Sequence, residues 1–214
     1  MYPENRTTRR RQLQDMRRRS QACRRCALWK CGTQTVFGAG PVGARVMIVG
    51  EQPGDKEDLA GKPFVGPAGK LLRDALAHAG IDESTVYFTN AVKHFKWRER
   101  GKRRIHERPN REEVLACRSW LDGEIATVRP AAIVALGATA ASVVLGSKAR
   151  VMRDRAKPFD SELAPLVTLT VHPSVILRTP DAADRAAARQ QFFKDWGTIT
   201  RLMNSRARSR GRPS

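Results

Sequence analysis

Four short apolar runs, rich in β-branched residues, constrain the fold of this chain more than any other feature. They span residues 45–50, 86–90, 132–137 and 166–172. Helix-like spacing of Leu, Ala, Ile and Val separates or follows them, at residues 68–79, 111–128, 139–145 and 184–203. Because buried strands alternate with helices, the pattern predicts a mostly parallel central sheet covered on both faces, which is a three-layer α/β/α fold.

Polar side chains follow each of the four predicted strands. They are Glu51, Gln52, Asp55, Asn90, Thr139 and His172. Ligands of open α/β sheets bind beyond the carboxyl ends of the strands, so we expect these side chains to line one site. The sequence has no Gly-x-Gly-x-x-Gly after the first strand and no Walker A pattern, which leaves dinucleotide and nucleoside triphosphate sites without support.

The charge balance indicates the class of partner. Lys and Arg number 40 against 21 Asp and Glu in 214 residues, a formal charge of +19, which favours nucleic acid because bound phosphates release counterions. No apolar run approaches the roughly 20 residues that span a bilayer, and we expect a cytoplasmic, nucleoid-associated protein. Residues 21–203 are predicted to form one domain, residues 1–20 a basic N-terminal segment, and residues 204–214 a disordered basic tail.

The cysteines point to a metal centre rather than to disulfides, because a cytosolic compartment is reducing. Cys23 and Cys26 have the spacing that lets two sulfurs reach one centre, and Cys117 and His94 are further candidate ligands. Two alternatives stay open at this point. The pair is equally typical of two small buried thiols, and Cys31 is able to replace His94 as the fourth ligand.

A strongly basic stretch, residues 92–106, follows the second predicted strand. It contains His94 and His106, two of the four histidines, and is expected to be an exposed loop. A basic run of this kind is usually a solvated face or a phosphate contact. Its position beside the predicted site favours a functional role.

Several motifs together resemble the iron-sulfur uracil-DNA glycosylases. They are Cys23-x-x-Cys26, residues 50–58, residues 61–69, residues 89–94, Cys117 and His172-Pro173-Ser174. Gln52, His94 and the insert at residues 102–106 resemble one branch more closely, the UdgX type. The resemblance implies a glycosylase fold, excision of uracil from DNA with single strands preferred, and a monomer. It also implies a [4Fe-4S] cluster, with zinc as the alternative, on Cys23, Cys26, His94 and Cys117.

The resemblance also assigns roles around the base. Asn90 reads the uracil edge, since an amide supplies both a donor and an acceptor, and Phe64 stacks on the extruded base. Gln52 is a further substrate contact. His172 hydrogen-bonds the uracil O2 or the phosphodiester. From the residues alone, Phe64 is equally typical of a core position and Asn90 of a turn cap.

Cleavage of the glycosidic bond develops positive charge on the sugar, and the resemblance implies that Glu51 and Asp55 stabilise it. His106 then attacks the sugar C1′, with Glu51 fixing its tautomer, so that the protein stays joined to the abasic site. The cations of the insert are expected to clamp phosphates and to lower the proton affinity of His106; they are Lys102, Arg103 and Arg104. Further DNA contacts are expected from Ser174 and Arg178, with Leu177 as a wedge. The alternatives are a conventional turnover glycosylase and a non-catalytic protein that binds uracil or abasic DNA.

Overall fold

A computed structural model describes residues 5–146 and 149–210, and the six strands of these ranges form two sheets. The strands are β1 (Val46–Gly50), β2 (Val86–Asn90), β3 (Trp97–Arg100), β4 (Arg103–His106), β5 (Ala132–Leu136) and β6 (Leu166–Thr170). Four of them pair in parallel in the order β2-β1-β5-β6. Helices flank this sheet, and the predicted three-layer α/β/α fold is confirmed.

The helices include every segment with predicted helical spacing and several that the spacing did not indicate. They are α1 (Arg6–Ser20), α2 (Asp55–Ala60), α3 (Pro67–His78), α4 (Arg111–Val128), α5 (Gly137–Leu145), α6 (Val151–Asp154), α7 (Pro173–Leu177) and α8 (Ala182–Arg210). Helices α1, α2, α6 and α7 are the additions. In the part of the chain that the structure describes, no helix has both the length and the apolar character needed to cross a membrane.

Two hydrophobic cores lie on opposite faces of the parallel sheet because side chains alternate along each strand. Met47 and Val49 pack into the core that includes residues of α1, α4 and α5. Val46 and Ile48 pack into the core with α3 and α8, where Trp196 is fully buried. Truncating such a tryptophan to alanine costs about 3–5 kcal/mol, so α8 is an integral layer of the domain.

Both basic ends of the chain differ from the predicted organisation. Residues 6–20 form α1, which packs against α4, buries Leu13 and donates from Arg17 Nη2 to Gly38 O at 2.7 Å. The predicted disordered tail is wrong for residues 204–210, which continue α8. Alanine and arginine favour helix, and Arg206 Nη1 donates to Pro165 O at 2.7 Å. Residues 211–214 of that predicted tail lie outside the described residues.

The basic stretch after β2 is a hairpin rather than the expected loop. Strands β3 and β4 pair antiparallel, with Trp97 opposite His106 and Arg100 opposite Arg103. Gly101 at the turn has a φ of 58°, a left-handed conformation that glycine adopts at low cost. The hairpin places His106 at the end of a strand instead of on a flexible loop.

Candidate active site

Side chains from the ends of the parallel strands and from the loop before α3 converge at one edge of the sheet. Gly50 ends β1 in the middle of this group. A Cβ atom added to Gly50 would lie 2.3 Å from Asn90 Oδ1 and 2.9 Å from Phe64 Cζ. The amide of Asn90 and the ring of Phe64 therefore border one small space, which only glycine at position 50 leaves open.

The backbone at Phe64 is held in a conformation that L-residues rarely adopt. Its φ is 56°, and its buried ring stacks on His172 with centroids 6.2 Å apart and 28° between planes. Such a conformation costs about 1–3 kcal/mol and persists only where neighbours enforce it. Here Arg73 Nη1 donates to Phe64 O, and a Cβ at Gly69 would lie 1.7 Å from that oxygen. The fold thus fixes an aromatic face beside Asn90.

His172 is a neutral hydrogen-bond donor in this site. Ser174 N donates to His172 Nδ1 at 3.2 Å, and Ser174 Oγ lies 2.8 Å from the same nitrogen. These contacts leave the ring proton on Nε2. Burial first, then Arg178 and His106, lowers the pKa of His172 to about 4. Ser174, expected on DNA, is thus bonded to His172, while Arg178 and Leu177 are exposed.

Glu51 lies between the strand ends and His106. Its Oε1 is 3.4 Å from His106 Nε2, and its Oε2 accepts a short hydrogen bond from Thr139 Oγ1. Arg108 Nε lies 3.7 Å from the same Oε2 and 3.1 Å from Thr139 Oγ1. Sequence reasoning missed Arg108, because it lies just beyond the basic stretch and belongs to no motif.

The pKa of His106 is lowered, although the side chain is 43% exposed. Burial is the largest cause; Arg178 lowers the pKa further and Glu51 opposes the shift. The ring is therefore neutral at neutral pH. The expected cause was the cations of the insert, and the structure corrects it. Lys102 and Arg103 are exposed near the turn, and Arg178 is the cation that acts on His106.

Arg104 and Asp55 form an ion pair with each other. We expected Arg104 to bind a phosphate and Asp55 to stabilise the sugar cation. Arg104 Nε donates to Asp55 Oδ1 and Arg104 Nη1 to Asp58 Oδ2, each at 2.6 Å. Asp58 is fully buried and also accepts from Thr33 N at 2.9 Å. The first turns of α2 present both carboxylates to β4. Arg104 fastens the hairpin, and Asp55 is committed to an ion pair.

Gln52 also fastens the hairpin instead of facing a substrate. Its buried amide donates from Nε2 to Lys96 O at 3.1 Å and to Glu107 O at 2.9 Å, and its Oε1 accepts from Lys96 N at 3.1 Å. Lys96 precedes β3 and Glu107 follows β4. One side chain therefore joins both ends of the hairpin to the end of β1.

The predicted metal-ligating cysteines lie near one another. Trp120 Nε1 donates to Cys23 Sγ and Lys93 N to Cys117 Sγ, each at 3.2 Å. The pKa of Cys117 is raised to about 11; burial is the largest cause, Lys93 opposes it, and the thiols of Cys26 and Cys23 add to it. Within residues 5–146 and 149–210, no three His, Cys, Asp or Glu side chains are grouped tightly enough to hold a single metal ion. Cys31 is exposed.

The buried ring of His94 has one nitrogen committed. Its Nε2 lies 3.0 Å from Thr35 Oγ1, and the Thr35 hydroxyl donates to Ser20 O at 2.8 Å. The threonine oxygen thus accepts the Nε2 proton, which leaves a lone pair on Nδ1. Burial lowers the pKa of His94, so the ring is neutral, as a metal ligand must be. Three thiols and this imidazole form a donor set that suits a metal centre.

Comparison with known proteins identifies the family. The uracil DNA glycosylase superfamily matches residues 37–197. The type-4 uracil-DNA glycosylase of Pyrobaculum aerophilum is 37% identical, over 86% of this chain and 90% of the relative. The type-4 enzyme of Thermotoga maritima is 40% identical over 75% and 80%, and that of Archaeoglobus fulgidus 34% over 89% and 92%. The chain therefore belongs to the uracil-DNA glycosylase superfamily, within its type-4 family, and is a uracil-DNA glycosylase.

Proposed function

We propose that this glycosylase stays covalently attached to the abasic site that it creates, through a bond from His106 Nε2 to the sugar C1′. The observation that carries the proposal is the position of a neutral, half-exposed histidine whose Nε2 lies 3.4 Å from Glu51 Oε1. Glu51 is the carboxylate at the end of β1, next to Gly50. The same carboxylate is suited to stabilise the sugar cation, so an electrophile held there would also face His106.

Excision comes first in this scheme. The uracil is extruded onto Phe64, and the Asn90 amide pairs with its O4 and N3-H. The bond from C1′ to N1 breaks and its electron pair leaves with the uracil, whose O2 accepts a hydrogen bond from His172 Nε2-H. The Glu51 carboxylate stabilises the positive charge on the sugar. The common border of Asn90 and Phe64 around Gly50 supports this arrangement.

Capture follows while the sugar is still electrophilic. The lone pair of His106 Nε2 forms a bond to C1′, and the resulting imidazolium loses its remaining ring proton to solvent. Capture uses the neutral tautomer that carries its proton on Nδ1. Glu51 Oε1 faces Nε2 itself at 3.4 Å, so Glu51 does not fix this tautomer from the other ring nitrogen as expected. Once the nitrogen has bonded to C1′, water cannot complete hydrolysis. Each molecule therefore acts once.

The hairpin positions His106 for capture, and exposed cations near it bind the DNA backbone. Gln52 holds the ends of the hairpin at the end of β1, and Arg104 holds its second strand against α2. Lys102, Arg103 and Arg178 remain exposed and contact phosphates, and Leu177, 44% exposed, enters the gap left by the extruded base. The substrate is uracil-containing DNA, preferentially single-stranded. The enzyme acts as a monomer, and its role is DNA repair.

Cys23, Cys26, Cys117 and His94 are the residues that would hold a [4Fe-4S] cluster. When bound, it supplies a cross-link between the segment after α1 and the segment before the hairpin, and no reacting atom. The N–H groups that donate to Cys23 and Cys117 are the kind of contact that stabilises cluster thiolates. Elemental analysis tests this: iron with acid-labile sulfide and visible absorbance supports the cluster, whereas zinc alone contradicts it.

The deciding experiment is a denaturing gel of the protein after incubation with single-stranded DNA carrying one uracil, beside a thymine control. We expect a uracil-dependent band that survives boiling. The band should disappear in His106→Ser, while uracil release continues. The matched control is His78→Ser, which changes an exposed histidine on α3 and should leave the band unchanged.

Three results would contradict capture through His106. A band that persists in His106→Ser would place the bond on another residue. Uracil release by the wild type without any band would indicate a conventional turnover glycosylase. Binding of uracil DNA without release would indicate a non-catalytic binding protein.

A further inference from the structure

We infer a second DNA contact beside the hairpin, where Trp29 stacks on an unpaired base of the strand that flanks the uracil. We define the Trp29 surface by Arg24, Trp29, Lys30 and Trp97. The inference rests on the glycosylase acting on DNA and is independent of capture by His106.

Trp29 is exposed and contributes to neither hydrophobic core. It lies on a short 3-10 helix, Ala27–Lys30, and 37% of it is accessible to solvent. Trp120 and Trp196, in contrast, are buried in the two cores. Exposed aromatic rings beside cations are the usual stacking platforms for single-stranded nucleic acid, because every base has a π face.

Two cations accompany the Trp29 ring. Arg24 Cζ lies 4.7 Å and Lys30 Nζ 5.7 Å from its centroid. Among the ion pairs of residues 5–146 and 149–210, neither Arg24 nor Lys30 has a carboxylate partner. Their charges therefore remain available for phosphates on either side of a stacked base, which matches a nucleotide and not a purely apolar ligand.

The Trp29 surface adjoins the catalytic histidine through the hairpin. Trp97 Nε1 donates to Cys31 O at 2.7 Å, which ties the segment after Trp29 to the start of β3. Trp97 lies directly opposite His106 in the hairpin register. A DNA strand whose uracil enters the pocket next to His106 would therefore pass the Trp29 surface within a few nucleotides.

The geometry selects an unpaired base. A base within a duplex has both faces covered by its neighbours, so it has no face to offer Trp29. A flanking nucleotide in a single strand offers both. Base-aromatic stacking of this kind changes affinity by roughly ten-fold for one base. The Trp29 surface would thus favour single-stranded substrates.

The test measures binding of the cluster-containing protein to two uracil-free probes of equal length, an oligothymidylate and a base-free sugar-phosphate oligomer. Trp29→Ala should weaken binding to the oligothymidylate by roughly ten-fold and leave the base-free probe unchanged. The matched control is Met152→Ala, which removes another exposed apolar side chain, 74% accessible and on α6, and should change neither. Unchanged oligothymidylate binding in Trp29→Ala, or equal weakening for both probes, would overturn the inference.

Loss of visible absorbance in Trp29→Ala would mean that the variant has lost its cluster. In that case a second variant and a cross-link still test the inference. Trp29→Phe retains a smaller ring and should bind the oligothymidylate with intermediate affinity. In the wild type, 4-thiothymidine within the oligothymidylate should photo-cross-link to the peptide that contains Trp29; cross-links confined to other peptides would refute the site. Neither probe contains uracil, so neither can form an adduct, which separates this result from the outcome for capture.

Discussion

The two halves of the active site are held in place by different forces. Glu51, Asn90 and His172 stand at or next to strand ends, where the parallel ladder of β2-β1-β5-β6 fixes the backbone. The hairpin lies outside that sheet; Gln52 fastens it to the end of β1, and Arg104 fastens it to α2. Excision is therefore expected to depend on the backbone topology, and the proposed capture on a few polar contacts. The two activities should be separable by mutation.

A buried ion pair lies beneath the strand-end half of the site. Lys93 Nζ lies 2.5 Å from Glu124 Oε2 and also donates to Asn90 O at 2.8 Å. Lys93 is 1% and Glu124 0% exposed. Glu124 also accepts from Gly38 N at 2.8 Å and Tyr87 Oη at 3.1 Å. This network ties Asn90, the proposed base reader, to α4, and it supports Asn90 rather than the hairpin.

The largest effect is expected from Glu124→Ala. It leaves the Lys93 ammonium buried without its partner, which should lower the free energy of unfolding by about 3–5 kcal/mol. Excision and capture should fall together. Urea unfolding measures the change. The control is Glu83→Ala, which breaks an exposed ion pair with Arg73 and should lower the free energy of unfolding by less than about 1 kcal/mol. A loss below 1 kcal/mol for Glu124→Ala would refute the role assigned to the buried pair.

Arg104→Ala should act on the hairpin half alone. It removes the partner of Asp58, which is fully buried, and we expect about 2 kcal/mol of destabilisation. Capture should slow more than uracil release because β4 carries His106. Single-turnover assays of both products measure the ratio. Arg103→Ala, an exposed neighbour on the same strand, is the control for charge; an equal ratio in both variants would contradict the fastening role.

Gln52→Ala should give a smaller effect of the same kind. It removes the hydrogen bonds to Lys96 and Glu107, each contributing about 0.5–1.5 kcal/mol, so capture should slow roughly ten-fold. Uracil release should change much less. The same paired assay applies, and release slowed as much as capture would mean that Gln52 contacts the substrate after all.

The smallest effect concerns the pH dependence of capture. Capture requires neutral His106, so its rate falls as pH drops through a pKa that lies below the ordinary 6.5. Arg178→Ala removes a cation that lowers this pKa, and the acid limb should move to higher pH. Glu51→Gln removes a charge that raises it, and the limb should move to lower pH. Adduct rates between about pH 5 and pH 8 measure both; shifts in the opposite directions would contradict the stated causes.

The sequence predicted the parts of the molecule that follow from local pattern. The strands and α4 have clear apolar periodicity, and their ends placed Glu51, Asn90 and His172 at one edge. Helix α1 escaped prediction because it buries little apart from Leu13 and Ser20. The hairpin was not predicted because its strands are mostly exposed and charged.

The side-chain partners that distinguish the two halves of the site were beyond sequence reasoning. Arg104 meets Asp55 and Asp58 across more than 45 positions, and no local pattern encodes such a pairing. Gln52 was assigned to the substrate by resemblance, and only its three-dimensional contacts reveal its link to Lys96 and Glu107. The sequence thus indicated which strand ends meet at one edge of the sheet, and it did not reveal that Gln52 and Arg104 fasten the hairpin.

The most direct test of the account is mass spectrometry of the protein after reaction with uracil-containing single-stranded DNA, nuclease treatment and proteolysis. The account predicts that the peptide containing His106 carries the abasic deoxyribose, and that the matching peptide of Gln52→Ala carries less of it at equal uracil release. A sugar attached to a lysine such as Lys102, or uracil released with every peptide unmodified, would contradict it.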